Sequence, residues 1–94
     1  IGSDHAPHLK VNKEKVYPNS PSGMPGVQTL LPVMLNHIND NKLKLDQLVK
    51  FLCENPVKIF GILNKGFIKK DYDADLTVID LNKEVPQELL LVES

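Results

Sequence analysis

The chain has 94 residues, of which 41% are hydrophobic and 24% are charged, and this composition is typical of globular proteins and excludes a disordered chain. The net charge is −1 and all 11 basic residues are scattered lysines, which argues against a nucleic-acid-binding surface, where arginine usually dominates. The apolar runs are too short to span a membrane and the N-terminus has no signal pattern, so we predict a cytoplasmic protein that does not bind membranes.

The first segment, Ile1 to Asp4, is predicted to be the end of a buried strand, because it leads directly into polar, turn-forming residues. Residues 5–26 are rich in proline and have no apolar periodicity. A loop of this length in a compact protein is usually a lid or a binding loop.

Three helices are predicted in the middle of the chain. Apolar residues recur at helical spacing from Val27, and regular helix is expected from about Thr29 to Leu31 onward, ending at residues 39–41. A second helix follows with Asp46 or a near neighbour as its N-cap. Asn55 is then expected to cap a short third helix, which Gly61 ends.

Two short strands are predicted near the end, at residues 67–68 and 76–79, joined by the turn residues 71–73. A lone hairpin is marginally stable, so these strands are expected to complete a larger sheet. Cys53 lies within a helical apolar pattern and is expected to be buried, whereas His37 is expected to face solvent.

The chemistry-bearing segment is the hexapeptide SDHAPH at residues 3–8, in which a strand end delivers Asp4 and a loop carries His5 and His8. A carboxylate and two imidazoles in this arrangement suit proton transfer or metal binding. Alone the hexapeptide is weak evidence, because such residues are often solvated loop residues. A plain turn is likewise an open alternative for Gly23.

Five motifs follow one another in the order found in dihydroorotases of the amidohydrolase superfamily, which residues 1–82 closely resemble. They are SDHAPH (3–8), SGMPGVQTLLP (22–32), ENPVKIFG (54–61), NKGFI (64–68) and DADL (73–76). The resemblance implies an α/β fold in which residues 1–64 are the end of a (β/α)8 TIM barrel, with its last strand, active-site loop and following helices. Residues 65–94 would be strands of the accessory β-sandwich and a tail.

The resemblance also implies roles for particular residues. Asp4 matches the catalytic aspartate, which transfers a proton between the attacking water and the leaving nitrogen and also contacts a metal. His8 matches the histidine that binds the substrate carboxylate, and Ser22 and Gly23 match the loop that contacts the ring. His5 is expected to be a structural neighbour. The cofactor would be one or two zinc ions, and the complete enzyme is expected to be an oligomer.

Several family residues are absent, including the His-x-His pair, the carboxylated lysine and the arginine that binds substrate. We therefore expect these 94 residues alone to be inactive and the rest of the barrel to lie on another segment or chain. Allantoinase, dihydropyrimidinase and a non-catalytic interaction module stay as alternatives. Asp71 stands where the family usually has glycine, and aspartate tolerates the left-handed backbone that a turn there requires.

Overall fold

The computed structural model describes residues 1–84, which contain four α-helices and one π-helical turn. The elements in chain order are α1 (Lys10–Lys13), α2 (Leu30–Asn39), α3 (Leu45–Val49), the π-helical turn (Lys50–Glu54) and α4 (Asn55–Phe60). By its contacts the described chain separates into two compact units, one comprising Gly2–Val33 and the other comprising Ile1 and Met34–Lys83. None of the helices in residues 1–84 is long and apolar enough to cross a membrane.

Helix α2 confirms the boundaries predicted from its apolar spacing. It begins at Leu30 and ends at Asn39, and the backbone N–H of Leu30 donates to the Gly26 carbonyl at 3.1 Å. Pro32 is tolerated because it lies in the first turn, where a backbone N–H has no intrahelical acceptor. Helix α1 was not predicted, because a single turn carries too few residues to show a period.

The second and third predicted helices form one continuous helical segment rather than two capped helices. The N-cap of α3 is Lys44, a near neighbour of Asp46, which itself lies in the first turn. The cap proposed at Asn55 was wrong, because Asn55 is itself helical, with φ −65° and ψ −43°. The Asn55 N–H donates to the Lys50 carbonyl, five residues back, which is the π-helical pattern. Pro56 explains the wider turn, because proline lacks an N–H and its ring clashes with the carbonyl four residues earlier.

Gly61 ends α4 as predicted. Its φ is 63°, in the left-handed region, and the Ile62 N–H returns to the Val57 carbonyl at 3.0 Å. This bond satisfies one of the carbonyls that a helix C-terminus leaves without an intrahelical donor. Asp71 likewise has a left-handed φ of 67°, which confirms that aspartate can replace the glycine usual in this turn.

The predicted strands do not form within residues 1–84, where the one β-bridge is an isolated parallel pairing of His5 with Met24. Residues 1–4, 67–68 and 76–79 are not strands there, so the barrel strand and the sandwich hairpin are not observed. A strand exists only through hydrogen bonds to a neighbour, and an isolated hairpin is marginal. The tail from residue 85 lies outside the described residues, and the domain boundary at 64/65 stays a prediction.

Little apolar surface is buried in the described chain. Leu48, at 3% exposure, is the one buried hydrophobic residue there, whereas Phe60 is 77% exposed and Val78 is 95% exposed. Cys53 is exposed, contrary to the prediction of a buried thiol, because it lies one helical turn from the exposed Val49 rather than on the side of Leu48. The helical pattern was therefore correct, but the apolar face that it defines is only partly covered within these residues: Leu48 is buried, whereas Phe51 and Leu52 are half-buried.

Candidate functional site

Asp4 stands at the start of the loop in an uncommon backbone conformation. Its φ is 49°, in the left-handed region that few residues other than glycine enter, and the residue is exposed. Aspartate is enriched among the exceptions because its short side chain can interact with the local backbone. Such conformations are found disproportionately at active sites, where surrounding structure fixes a functional side chain.

His5 joins the two ends of the loop. Its Nδ1 accepts hydrogen bonds from the backbone N–H groups of Gly26, at 2.9 Å, and Val27, at 3.3 Å. A nitrogen that accepts two N–H groups carries no proton, so the neutral ring has its proton on Nε2. His5 therefore has the structural role expected from the sequence, and its Nδ1 is not free to bind a metal.

His8 and Ser22 were predicted separately as substrate-binding residues, and the structure brings them together. The His8 Nε2 donates to the Ser22 carbonyl oxygen at 3.0 Å, although 14 positions separate the two residues. A carbonyl can only accept, so the proton of this bond belongs to the imidazole. This contact orients the ring and leaves Nδ1 as its second polar atom.

Gly23 lies at the closest approach of the two arms of the loop. Its φ is 106°, and a Cβ built on it would lie 2.6 Å from the Ala6 Cβ and 3.2 Å from the Ala6 carbonyl oxygen. The adjacent backbone is paired through the Ala6 N–H, which donates to the Met24 carbonyl at 3.0 Å. Glycine is required here both by its φ and by its contact with Ala6, so this position is more than an ordinary turn.

Lys13 is a part of the loop that sequence reasoning missed. Its ammonium donates to the carbonyls of Pro21, at 2.8 Å, and Gly23, at 2.9 Å. The Ser20 hydroxyl in turn donates to the Lys13 carbonyl at 2.9 Å. A loop lysine carries no sequence signal for such a role, because backbone carbonyls accept from any residue type. The loop from Asp4 to Val27 is thus held by hydrogen bonds between its own two arms.

Comparison with known proteins identifies the family. The Amidohydrolase family profile matches residues 1–92. The chain belongs to the amidohydrolase family. Among its curated relatives, the dihydroorotase of Methanosphaera stadtmanae is 51% identical over 83 residues, which are 88% of this chain and 19% of the relative. The resemblance to dihydroorotases is therefore confirmed. No solved structure matches the chain.

Further relatives of the chain are also named dihydroorotase and match it over a similar length. The dihydroorotase of Pyrococcus furiosus is 43% identical over 84 residues, covering 89% of this chain and 19% of the relative. That of Staphylococcus epidermidis is 42% identical over 85 residues, covering 89% and 20%. The chain thus spans about a fifth of the length of the curated relatives it matches.

The metal site implied by the family is not complete in the described residues. Within residues 1–84 no group of three histidine, cysteine, aspartate or glutamate side chains is arranged to hold a metal ion. Catalytic zinc sites usually have three protein ligands, of which the resemblance assigns Asp4 alone to this segment. The Nδ1 of His5 is engaged with the backbone. These residues by themselves do not fit a zinc ion.

His37 and Lys65 lie outside the loop. His37, expected at the surface, is half-buried, and its Nδ1 is buried without a hydrogen-bond partner in residues 1–84. Lys65 forms salt bridges with Asp75 and with Asp73, the latter at 3.0 Å. Hydrogen bonds to these two carboxylates, Asp75 first, raise the pKa of Lys65 above its ordinary value of 10.5. This network links the two sides of the turn around Asp71.

Proposed function

We propose that this chain is part of a zinc-dependent dihydroorotase, which interconverts N-carbamoyl-L-aspartate and L-dihydroorotate in pyrimidine biosynthesis. The observation that carries the proposal is the 51% identity over 83 residues to a protein named dihydroorotase. The clustering of His8, Ser22 and Gly23 in one loop beside Asp4 supports it further. In this proposal residues 1–64 complete a (β/α)8 barrel and residues from 65 onward contribute to an accessory sandwich.

Asp4 is the proposed general acid and base. An ionised carboxylate accepts a proton from the attacking water, and the resulting carboxylic acid returns that proton to the leaving amide nitrogen. Its place at the entrance of the loop agrees with the position of catalytic groups in barrel enzymes, which follow the C-terminal ends of strands. The left-handed backbone at Asp4 is consistent with a side chain held for function.

His8 and the backbone at Ser22 and Gly23 are the proposed substrate-binding groups. The imidazole already donates from Nε2 to the Ser22 carbonyl, so a doubly protonated ring could keep that bond and donate to a substrate carboxylate from Nδ1. A charge-assisted hydrogen bond of this kind contributes about 1.5 to 3 kcal/mol. The absent side chain at Gly23 allows the arms of the loop to meet.

One or two zinc ions are the proposed cofactor of the whole enzyme, and Asp4 is the one residue of this segment proposed to contact them. Zinc lowers the pKa of a bound water and polarises a carbonyl, which is the activation that amide hydrolysis requires. The whole enzyme is proposed to be a cytoplasmic oligomer that takes a small-molecule substrate. Since residues 1–84 do not fit the metal, this segment alone is proposed to be inactive.

A segment exchange tests the proposal. The matching fifth of the Methanosphaera stadtmanae dihydroorotase would be replaced by this sequence, and ring opening would be measured with dihydroorotate, allantoin and dihydrouracil. We expect turnover of dihydroorotate, and an Asp4→Asn version of the same chimera should lose at least ~100-fold in kcat while keeping its fold.

Each alternative has its own result in this experiment. Preferential hydrolysis of allantoin or dihydrouracil would replace dihydroorotase by allantoinase or dihydropyrimidinase. A folded chimera without any turnover would favour the non-catalytic module. Near-normal activity of the Asp4→Asn chimera would remove Asp4 from the catalytic role.

A further inference from the structure

Two side chains from one arm of the loop hold three consecutive backbone carbonyls of the other arm. Lys13 binds the carbonyls of Pro21 and Gly23, and His8 binds the carbonyl of Ser22 between them. Without these hydrogen bonds the peptide groups of residues 21–23 would be free to rotate, because these residues lie in no helix or strand that fixes their backbone. The backbone proposed to contact the substrate is therefore oriented by side chains rather than by secondary structure.

We propose that Lys13 is a positioning residue for substrate binding, which acts by fixing the Pro21–Ser22 and Gly23–Met24 peptide planes. This inference rests on the proposed function and adds to it a residue with no assigned role. In a planar trans peptide the C=O and the following N–H point in opposite directions. Holding the carbonyls of Pro21 and Gly23 therefore also sets the directions of the Ser22 and Met24 N–H groups.

Lysine suits this task because its ammonium has three donors and no acceptor. Two of those donors are used, at 2.8 Å and 2.9 Å, which are distances typical of charge-assisted hydrogen bonds. Lys13 is the last residue of α1, and the Ser20 hydroxyl binds its carbonyl at 2.9 Å. The backbone of Lys13 is thus fixed by the same loop that its side chain orders.

The effect should appear in KM more than in kcat. The backbone at residues 22–23 is proposed to contact the ring rather than the reacting amide, and such contacts are made equally in the ground state and the transition state. Removing a contact of this uniform kind raises KM and leaves kcat nearly unchanged. A general loss of structure would instead lower kcat together with thermal stability.

The test uses the whole enzyme that contains this segment, with dihydroorotate as substrate. Lys13→Met keeps the length of the side chain but removes the donors of both hydrogen bonds. We expect KM to rise at least about tenfold, the lower end of the range for one charge-assisted hydrogen bond, with kcat within about twofold. Lys13→Arg retains both charge and donors and should recover most of the loss. Lys15→Met is the matched control, because it removes a neighbouring lysine whose side chain makes none of the loop's hydrogen bonds in residues 1–84. This variant should leave KM unchanged.

Three results would overturn the inference. These are an unchanged KM in Lys13→Met, an equal rise of KM in Lys15→Met, and a parallel fall of kcat and melting temperature in Lys13→Met. Amide hydrogen exchange across residues 20–26 gives a readout that does not depend on turnover. Amide exchange in this segment should become faster in Lys13→Met and in none of the other variants. Equal exchange rates in all variants would also refute the inference.

Failure of the proposed function is distinguishable from failure of this inference. A wild-type enzyme without activity on dihydroorotate would refute the function, while the exchange measurement would still decide whether Lys13 orders residues 21–23. An active wild type whose KM does not respond to Lys13→Met would refute the positioning role and leave the function standing.

Discussion

Replacing Gly23 by alanine should open the loop without unfolding the protein. The new Cβ would lie 2.6 Å from the Ala6 Cβ, at a φ of 106° that L-residues rarely adopt. The backbone conformation costs about 1 to 3 kcal/mol and the overpacking costs a further 1 to 3 kcal/mol or so. Together these costs amount to roughly 2 to 6 kcal/mol if the loop does not move.

The hydrogen bonds that close the loop contribute a free energy of similar size to this strain. Around Gly23 the arms are joined by the bonds Ala6 to Met24, His8 to Ser22 and Lys13 to Gly23. Each of these three hydrogen bonds contributes about 1 kcal/mol net to the stability of the loop, and the bond from charged Lys13 contributes somewhat more. Together they contribute about 3 to 5 kcal/mol. Because the two sums are comparable, we expect the arms to separate locally while the rest of the protein stays folded.

Amide hydrogen exchange and kinetics in the whole enzyme would measure this outcome. The Ala6 N–H, which donates to the Met24 carbonyl, should lose protection in Gly23→Ala, and KM for dihydroorotate should rise. Gly61→Ala is the matched control, because Gly61 also has a positive φ, 63°, but a Cβ there would meet nothing within 4 Å. Retained protection of Ala6 with an unchanged KM would refute the steric argument.

Three further predictions concern charge and metal. His8→Ala should lower kcat/KM by about 10-fold to 150-fold, the range expected for loss of a charge-assisted hydrogen bond, and an unchanged kcat/KM would remove His8 from the site. The pKa of Lys65 is raised in the folded protein, so its salt bridges stabilise the fold fully below about pH 10.5. This stabilisation is lost as the pH rises through the folded-state pKa of Lys65. The melting temperatures of wild type and Lys65→Met should therefore converge in strong alkali. The isolated 94-residue chain should bind zinc weakly or not at all by isothermal titration, and submicromolar affinity with activity would contradict the fragment interpretation.

The helices were predictable because their signals are local. The apolar spacing from Val27 to Ile38 identified α2 to within a residue or two, and Gly61 marked the end of α4. The cap proposed at Asn55 was mistaken because cap residues are also tolerated inside helices. At Pro56, the local signal was read as the start of a new helix, whereas the chain widens to a π-helical turn and continues.

The strands were not predictable to the same degree, because a strand depends on a partner that its own residues do not specify. Residues 76–79 have strong β-propensity, yet Leu76 is 65% exposed and Val78 is 95% exposed in the described chain. Propensity of this kind reflects packing on a sheet surface more than an intrinsic backbone preference. The apolar alternation indicates where a sheet would be completed, and it cannot supply the neighbouring strands.

In the candidate site, too, the sequence predicted the types of the functional residues but not their hydrogen-bond partners. Motifs indicated Asp4, His8, Ser22 and Gly23, because carboxylates, imidazoles and glycines have recognisable chemistry. They gave no indication that His8 would bind the Ser22 carbonyl or that Lys13 would bind the carbonyls on either side. Every residue has a backbone carbonyl, so the sequence identifies a side-chain donor but does not identify the carbonyl that accepts from it.

The loop and the helical segment are ordered by different interactions. Hydrogen bonds between residues 5–13 and 20–27 order the loop from within. The helical residues instead leave large side chains such as Ile59 and Phe60 exposed, and apolar burial is the main source of stability in folded domains. We therefore infer that the loop is organised by its own hydrogen bonds, whereas the helical segment gains little stability from burying Ile59 and Phe60 within residues 1–84.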